Sequence, residues 1–247
     1  IMNRFYHPNP LNINQTIILN DFAAHHALTV MRVKLNDSLI LFNGDGSDYL
    51  GKITQIKKHQ LEISIQTNEK ISHESPVQIT LIQSLPSNEK MDWIIQKTTE
   101  LGIFSIQPIL SERSIIKLNQ NRIEKKLSHW QQVAISSCEQ CYRAKIPIIH
   151  KPQTFMHFLN QENKFSKGTL KLILSPNANK GIIKLPSNPP EKILILVGPE
   201  GGFSNKEIQE ASDVGFCPIK LGPRILRTET APVGILSILQ HKYGDFV

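Results

Sequence analysis

Hydrophobic and polar residues alternate in short runs up to residue 67, and turn-forming residues separate the runs. Leu61, Ile63 and Ile65 occupy every second position, while the NGDG sequence at 43–46 is typical of a tight turn. This pattern indicates a small antiparallel β-barrel or sandwich. Strands are predicted at 16–20, 38–44, 49–58 and 60–67, with a short helix at 25–33.

From residue 77 the pattern changes to continuous apolar runs that alternate with segments of helical periodicity. Apolar runs without alternation are expected of strands buried on both faces of a parallel sheet. The polar stretch 69–76, which ends in proline, separates the two patterns. We therefore predict one domain at 1–72 and a second, α/β domain at 73–247. In the second domain strands are predicted at 77–85, 103–110, 170–176 and 191–198, and helices at 87–101, 122–142 and 231–243.

Four residues predict helix ends in the second domain. Ser87 has the side chain of a helix cap, and Gly102 is placed to end the same helix. Ser204 and Glu207, three residues apart, match the capping box. Another helix is therefore predicted to begin beside them.

Two loops near the end of the chain are rich in glycine and polar residues, GPEGG at 198–202 and LGPRILRTETA at 221–231. Both are predicted to follow strands, and ligands of open α/β sheets bind at the carboxyl ends of strands. The first loop matches neither the P-loop nor the dinucleotide-binding fingerprint, so a tight turn explains it equally well. In the second loop, Arg224 and Arg227 suit an anion, but a helix cap with surface ion pairs stays an alternative.

Positive charge is concentrated in the second domain. Residues 1–72 hold 7 Lys or Arg against 6 Asp or Glu, whereas residues 73–247 hold 21 against 15. Within the stretch 113–151, basic residues outnumber acidic ones most strongly. The stretch is a candidate phosphate-binding surface, although a solvated helix face would have the same composition.

The cysteines and histidines argue against a disulfide framework and a metal site. Three cysteines in 247 residues indicate the reducing cytoplasm. Cys138 and Cys141 have redox-motif spacing, but no second pair accompanies them for zinc, and the 9 histidines show no ligand spacing. No apolar run approaches the roughly 20 residues of a membrane span, so neither a metal nor a membrane is expected.

Several motifs, taken together, resemble the RsmE family of 16S ribosomal RNA uridine N3-methyltransferases, members of the SPOUT superfamily. They run almost from end to end of the chain. The last two are specific in their order and spacing. In chain order the motifs are RFYHP, LFNG, EKMDWIIQKTTELGI, SERS, ISSCEQCYR, LVGPEGGFS and LGPRILRTETA.

The resemblance implies a fold, a cofactor and partners. The fold is α/β, with an N-terminal PUA-like β-barrel for RNA recognition and a C-terminal SPOUT domain with a deep trefoil knot. The cofactor is S-adenosylmethionine, the substrate is 16S ribosomal RNA of the small subunit, and the protein is a homodimer. General topology rules would have excluded a knot, so the knot rests on the resemblance alone.

Matching the motifs position by position implies the cofactor residues. One departure from the family pattern is Pro232, which a first helical turn tolerates, so we expect a locally changed helix start. The implied cofactor residues are Leu174, Ser175, Val197, Gly198, Pro199, Glu200, Gly201, Gly202, Leu221, Gly222, Ile225, Leu226, Arg227, Thr228, Thr230 and Ala231.

Methylation of uracil at N3 requires that this position loses its proton. Arginine is no base at neutral pH, so Arg227 or Arg224 is predicted to stabilise negative charge on the uracil oxygens. Glu229 or Glu200 is predicted to accept the proton or to orient the site. Arg143, together with Glu139, is expected to reach the site from a partner subunit.

RNA contacts are predicted in both domains. Two further functions stay open: another SPOUT methylation, at ribose 2′-O or guanine N1, and a non-catalytic RNA-binding assembly factor. The predicted RNA contacts are Arg4, His26, Arg32, Arg113, Lys117, Arg122, Lys125, Lys126 and Arg143.

Overall fold

The structure is a computed structural model that describes residues 2–58, 60–71, 73–114, 120–161, 168–179, 181 and 185–246. The chain divides into two compact units. The first comprises Ile1–Glu74 and Ile135–Ile146, and the second comprises Ser75–Ala134 and Pro147–Val247. The first unit is therefore made of two separate segments of the chain.

A five-stranded sheet forms the first unit, in the order β1-β3-β4-β5-β2. Leu61, Ile63 and Ile65 are buried on one face, as their alternation predicted. The sheet is not purely antiparallel, because β1 pairs in parallel with β3. The hydrophobic pattern did not predict β1. The strands are β1 (Arg4–Tyr6), β2 (Thr16–Asn20), β3 (Ser38–Phe42), β4 (Ser47–Lys57) and β5 (Gln60–Lys70).

A helix was predicted at 25–33, whereas the structure has it at 21–30, with an α-helical part followed by a π-helical part. Helix α1 (Asp21–His25) continues as a π-helix over His26–Val30. The wider turn is closed by the Met31 N–H, which donates to the carbonyl oxygen of His26 at 3.0 Å. Arg32 has a φ of 54°, in the left-handed region where helices end, so residues 31–33 are not helical.

Arg4 is buried at the centre of a hydrogen-bond network in the first unit, with 4% of its surface exposed. Its Nη2 and Nε donate to Oδ1 of Asp48 at 2.7 and 3.0 Å. Its Nη1 donates to the carbonyl oxygens of Cys138 and Arg143, both at 2.8 Å. The guanidinium carbon lies 3.7 Å from the centre of the Phe42 ring. Arg4 therefore has a structural role and is not available as an RNA contact.

Arg143 and Glu139 are also engaged inside the first unit. Nη2 of Arg143 lies 2.7 Å from Oε2 of Glu74, whose other oxygen accepts the Lys145 N–H at 3.0 Å. The Tyr6 N–H donates to Oε1 of Glu139 at 3.0 Å, and burial raises the pKa of Glu139. Arg143 and Glu139 therefore have structural roles. They were expected at the substrate site, and Arg143 also on RNA, and these contacts do not leave them available there.

The pair Cys138 and Cys141 has no disulfide, and Cys217 is also free. Cys138 is buried, and that burial raises the pKa of its thiol to about 12. Since the thiolate is the reactive form, Cys138 is an inert residue of the packed interior.

The second unit is built on a seven-stranded sheet, and every strand pair in the described residues is parallel, which agrees with the largely parallel sheet that was predicted. The strand order is β12-β10-β11-β6-β7-β8, and β9 also pairs with β7. The trefoil knot stays a prediction. The strands are β6 (Gln78–Ser84), β7 (Ser105–Leu110), β8 (Ile148–Ile149), β9 (Gln153–Thr154), β10 (Thr169–Leu174), β11 (Lys192–Val197) and β12 (Cys217–Ile219).

The described residues contain five further helices, and none of them is long and apolar enough to cross a membrane. The capping box of Ser204 and Glu207 is present, but the side chain of Ser87 makes no cap hydrogen bond. Gly102, with a φ of 77°, follows the end of α2. The helices are α2 (Asn88–Glu100), α3 (Gln120–Cys141), α4 (Phe155–Gln161), α5 (Asn205–Asp213) and α6 (Thr230–Tyr243).

Pro232 is the third residue of α6. The first amides of a helix have no partner inside it, so proline removes no helical hydrogen bond there. The Thr230 and Ala231 N–H groups donate to the carbonyl oxygen of Arg227, each at 3.0 Å. Glu229, the residue before the helix, makes no side-chain cap, so the helix begins on backbone hydrogen bonds.

Arg4→Met should lower the free energy of unfolding by about 3–5 kcal/mol, because Asp48 would remain buried without its partner. Urea denaturation followed by circular dichroism measures the loss. The matched control is Lys57→Met, which breaks an ion pair of 2.8 Å whose side chains are 52% and 27% exposed. We expect the control to change the free energy by about 1 kcal/mol or less. Equal losses in the two variants would contradict a structural role specific to Arg4.

Candidate active site

A cavity of about 630 Å³ opens in the second unit where β10, β11 and β12 end. Leu174, Val197 and Ile219, the last residues of these strands, all line it. The volume is within the range of about 300–1000 Å³ that is usual for small-molecule sites. A cavity here is expected, because the carboxyl ends of parallel strands meet at one edge of the sheet.

The structure brings the two polar loops together around this cavity. Thr230 is the one predicted cofactor residue outside the lining, and it is exposed. The predicted cofactor residues that line the cavity are Leu174, Ser175, Val197, Gly198, Pro199, Glu200, Gly201, Gly202, Leu221, Gly222, Ile225, Leu226, Arg227, Thr228 and Ala231.

Several lining residues were not predicted. Pro176 and Asn177 follow β10, so the rule that ligands bind at strand ends would have found them. Lys90 comes from α2, more than 100 positions before the two loops, and only the folded chain brings it here. The unpredicted lining residues are Lys90, Pro176, Asn177, Phe203, Asn205, Ile208, Ile219 and Lys220.

The first loop, 198–202, is a tight turn that requires glycine at two places. A Cβ on Gly198 would lie 3.1 Å from the backbone of Gly202 and Phe203. Gly202 has a φ of 66°, and its N–H donates to the carbonyl oxygen of Pro199 at 2.9 Å. The loop is thus both a turn and a wall of the cavity.

Glu207 connects Ser204, two residues after this loop, with the segment that follows β7. Its Oε1 accepts the Glu112 N–H at 2.8 Å, and its Oε2 accepts the Ser204 N–H at 2.9 Å. The neighbouring Arg113 donates from Nη1 to the carbonyl oxygen of Gly201 at 2.8 Å. Arg113, predicted as an RNA contact, therefore forms part of the cavity wall.

Lys90 lies between two carboxylates. Its Nζ is 3.0 Å from Oε1 of Glu200 and 3.6 Å from Oε2 of Glu229. The hydrogen bond to Glu200 is the main cause that raises the pKa of Lys90. The Ser87 N–H also donates to Oε1 of Glu200, at 3.2 Å.

The two carboxylates differ in their surroundings. Burial alone would raise the pKa of Glu200, but hydrogen bonds from its own backbone, Lys90 and Ser87 lower it overall. Oε2 of Glu229 is buried and has no hydrogen-bond partner among the described residues. Glu229 does not line the cavity, although Thr228 beside it does. Oε1 of Glu200 thus accepts two hydrogen bonds, whereas Oε2 of Glu229 has only the longer 3.6 Å ion pair with Lys90 among the described residues.

Arg224 and Arg227 lie on the exposed side of the cavity lining. Neither guanidinium has an ion pair or a hydrogen bond with any residue that the structure describes. Both remain available for an anionic ligand. Ion pairs between these arginines and surface carboxylates, the alternative explanation, are therefore absent among the described residues.

The other predicted RNA contacts lie elsewhere. His26 is half-buried, its ring in a T-shaped contact with the Phe5 ring, and Arg32 is exposed. Arg122 and Lys125 are exposed on α3, and Lys126 lies with its Nζ 5.7 Å from the centre of the Trp130 ring. Lys117 lies outside the described residues. Within the described ranges, no group of three or more His, Cys, Asp or Glu side chains could hold a metal ion.

Two family models match the chain. Residues 73–240 match an RNA methyltransferase domain, and residues 19–66 match an RNA methyltransferase PUA domain. The predicted fold class, an α/β protein with an N-terminal PUA-like part and a C-terminal SPOUT part, is confirmed. The domain boundary between residues 72 and 73 stays a prediction.

Relatives align over almost the whole chain. Ribosomal RNA small subunit methyltransferase E of Buchnera aphidicola subsp. Schizaphis graminum is 40% identical over 98% of this chain and 97% of its own. The same-named protein of Neisseria gonorrhoeae, solved with S-adenosyl methionine, is 38% identical with a TM-score of 0.91 over 100% of both chains. A methyltransferase of Legionella pneumophila, solved with bound SAM, is 37% identical with a TM-score of 0.94, again over 100% of both chains. This chain belongs to the RsmE family of RNA methyltransferases.

Proposed function

We propose that this protein transfers a methyl group from S-adenosylmethionine to N3 of a uridine in 16S ribosomal RNA of the small subunit. The observation that carries the proposal is the cavity at the strand ends, lined by both family loops, with Arg224 and Arg227 unpaired among the described residues. The names of the relatives supply the small-subunit ribosomal RNA, the family resemblance supplies N3 of uridine, and two solved relatives contain the cofactor.

The lining of the cavity fits this cofactor. Leu174, Val197 and Ile219 contribute apolar side chains to the lining, which would suit a flat adenine ring. At Gly202 and Gly222 a Cβ would meet nothing within 4 Å, so the backbone leaves room for a ligand to approach. When bound, S-adenosylmethionine supplies a methyl group that is electrophilic because its sulfur carries a positive charge.

The two arginines are suited to the charge that develops on the substrate. Once N3 loses its proton, negative charge spreads over the two uracil oxygens. A guanidinium stays protonated at neutral pH and donates several N–H groups, so it stabilises such a charge. We assign this role to Arg227, the closer of the two in sequence to Thr228 and α6, and Arg224 is the alternative.

The surroundings of the two glutamates favour different roles. A general base needs a lone pair that is free to accept a proton. Oε2 of Glu229 has no hydrogen-bond partner among the described residues, whereas Oε1 of Glu200 accepts from both Lys90 and Ser87. We therefore assign proton acceptance to Glu229, through one bridging water because Glu229 itself does not line the cavity, and orientation of the first loop to Glu200.

RNA recognition and assembly complete the proposal. The PUA-like part and the basic side chains Arg122, Lys125 and Lys126 are proposed to hold RNA through its phosphates. A homodimer in the cytoplasm is proposed from the family resemblance, and free cysteines accord with a reducing compartment.

The function is tested with purified small ribosomal subunits, free 16S ribosomal RNA and labelled S-adenosylmethionine. We expect one labelled uridine, methylated at N3, when the product nucleosides are mapped by mass spectrometry. Label on ribose or guanine would identify another SPOUT methylation. A chain that binds RNA but shows no heat of cofactor binding in calorimetry would be an assembly factor.

Arg227→Ala should lower kcat by about 10²–10³-fold, the usual cost of removing one donor to a developing oxyanion. The comparison variant is Arg224→Ala, in the same loop, which should lower kcat less. Circular dichroism must show an unchanged fold in both. Near-normal turnover in Arg227→Ala would rule out its role, and the opposite ranking would move the role to Arg224.

Glu229→Gln and Glu200→Gln should affect different kinetic constants. Glu229→Gln removes the proton acceptor, so kcat falls by about 10²–10⁴-fold. Glu200→Gln weakens the hydrogen bonds from Lys90 and Ser87 to the first loop. KM for the cofactor therefore rises, and kcat falls less than in Glu229→Gln. Steady-state kinetics separates the two effects. A larger loss of kcat in Glu200→Gln would assign proton acceptance to Glu200.

A further inference from the structure

Gln83 places a fully buried amide beside the cavity. It lies in β6 directly opposite Val197 of β11, and its exposed fraction is 0%. Its Nε2 donates to the Thr228 Oγ1 at 3.2 Å and to the Ser84 carbonyl oxygen at 2.9 Å. The same nitrogen is 3.5 Å from the carbonyl oxygens of Val197 and Gly198. Because carbonyl oxygens can only accept, the NH₂ end of the amide must face this group.

Thr228 connects Gln83 with the first loop. Its hydroxyl donates to the carbonyl oxygen of Gly198 at 2.7 Å. A hydroxyl has a single hydrogen, so the N–H of Gln83 that points at the Thr228 oxygen leaves that hydrogen directed to Gly198. Gly198 and Thr228 belong to different loops and both line the cavity. The chain from Gln83 through Thr228 to Gly198 therefore links the two loops.

Stability alone does not explain an amide at this position. Oε1 of Gln83 is buried and has no partner among the described residues. A buried polar atom without a partner costs about 1–3 kcal/mol, whereas an apolar side chain of the same shape carries no such cost. The two preceding residues of β6, Leu81 and Ile82, are apolar and fully buried.

We propose that Gln83 is a positioning residue of the cofactor site. Its amide directs the Thr228 hydroxyl to the Gly198 carbonyl and thereby fixes the separation of the two loops before the cofactor binds. Loops that are already ordered lose less conformational entropy on binding, which increases affinity without a new contact. The inference rests on the proposed function, because it takes S-adenosylmethionine as the ligand of this cavity.

Gln107 offers a matched control in the neighbouring strand β7. It is also buried, with 8% exposed, and its Nε2 donates to the carbonyl oxygen of the next residue, Pro108, at 2.8 Å. Its second acceptor is the carbonyl oxygen of Lys151, at 3.0 Å, and neither residue lines the cavity. Gln107→Met therefore removes an equivalent buried amide without touching the link between the loops.

The experiment measures the Kd for S-adenosylmethionine by calorimetry in the full chain and compares Gln83→Met with Gln107→Met. Gln83→Met should raise Kd about 3- to 10-fold, the equivalent of one hydrogen bond, and leave kcat at saturating cofactor within about 2-fold. Removal of the unpartnered Oε1 and loss of the Nε2 hydrogen bonds have opposite effects on stability, so circular dichroism must show an unchanged fold in both variants. Gln107→Met should leave Kd unchanged.

Thr228 variants test the same link from its other end. Thr228→Val should raise Kd to a similar extent, and Thr228→Ser, which keeps the hydroxyl, should recover most of that loss. The double variant of Gln83→Met and Thr228→Val should have a Kd no higher than that of the single variant with the higher Kd, because both substitutions remove the same link. If Gln83→Met does not fold, Gln83→Leu takes its place in the same comparison, because Thr228 itself lines the cavity and its variants also change a direct contact.

The outcomes separate this inference from the proposed function. No cofactor binding by the unaltered chain would overturn the proposed function. Binding by the unaltered chain with an equal Kd in Gln83→Met would overturn the positioning role alone. Equal rises of Kd in Gln83→Met and Gln107→Met would also overturn it, since the loss would then reflect any buried amide of the sheet.

Discussion

The parallel pairing of β12, β10 and β11 is the constraint from which the site follows. Strands buried on both faces accept almost only apolar residues, so polar groups collect where the strands end. Parallel pairing places those ends at one edge of the sheet. Loops that are about 20 residues apart in sequence, after Val197 and after Ile219, therefore meet around one cavity. The second unit thus concentrates its polar chemistry at a single edge.

Charge at that edge is divided between paired and unpaired groups. The cation of Lys90 lies between Glu200 and Glu229, whereas Arg224 and Arg227 have no carboxylate partner among the described residues. A paired lysine holds loops in place, and an arginine without a partner keeps its N–H groups for a ligand. The same loop region thus separates the charges that maintain its shape from those that can act on a substrate.

Features set by neighbours in sequence could be predicted, and features set by long-range contacts could not. The alternation of Leu61, Ile63 and Ile65 and the capping box of Ser204 depend on nearby residues and are confirmed. Gln83 and Lys90 join the site from elements that lie more than 100 residues earlier than the loops, and no local pattern marks them. Arg4 was assigned to RNA because its charge is visible in the sequence, whereas its burial against Asp48 is not.

The two-segment composition of the first unit affects how the protein folds during its synthesis. The sheet strands β1–β5 end at Lys70, but residues 135–146, which contain two acceptors of Arg4, follow much later. At about 5–20 residues per second, the ribosome needs roughly 4–14 seconds to extend the chain from residue 74 to residue 146. Throughout that interval Arg4 has Asp48 but lacks the carbonyl groups of Cys138 and Arg143. The nascent β-sheet therefore reaches its final packing only after more than half of the polypeptide has been made.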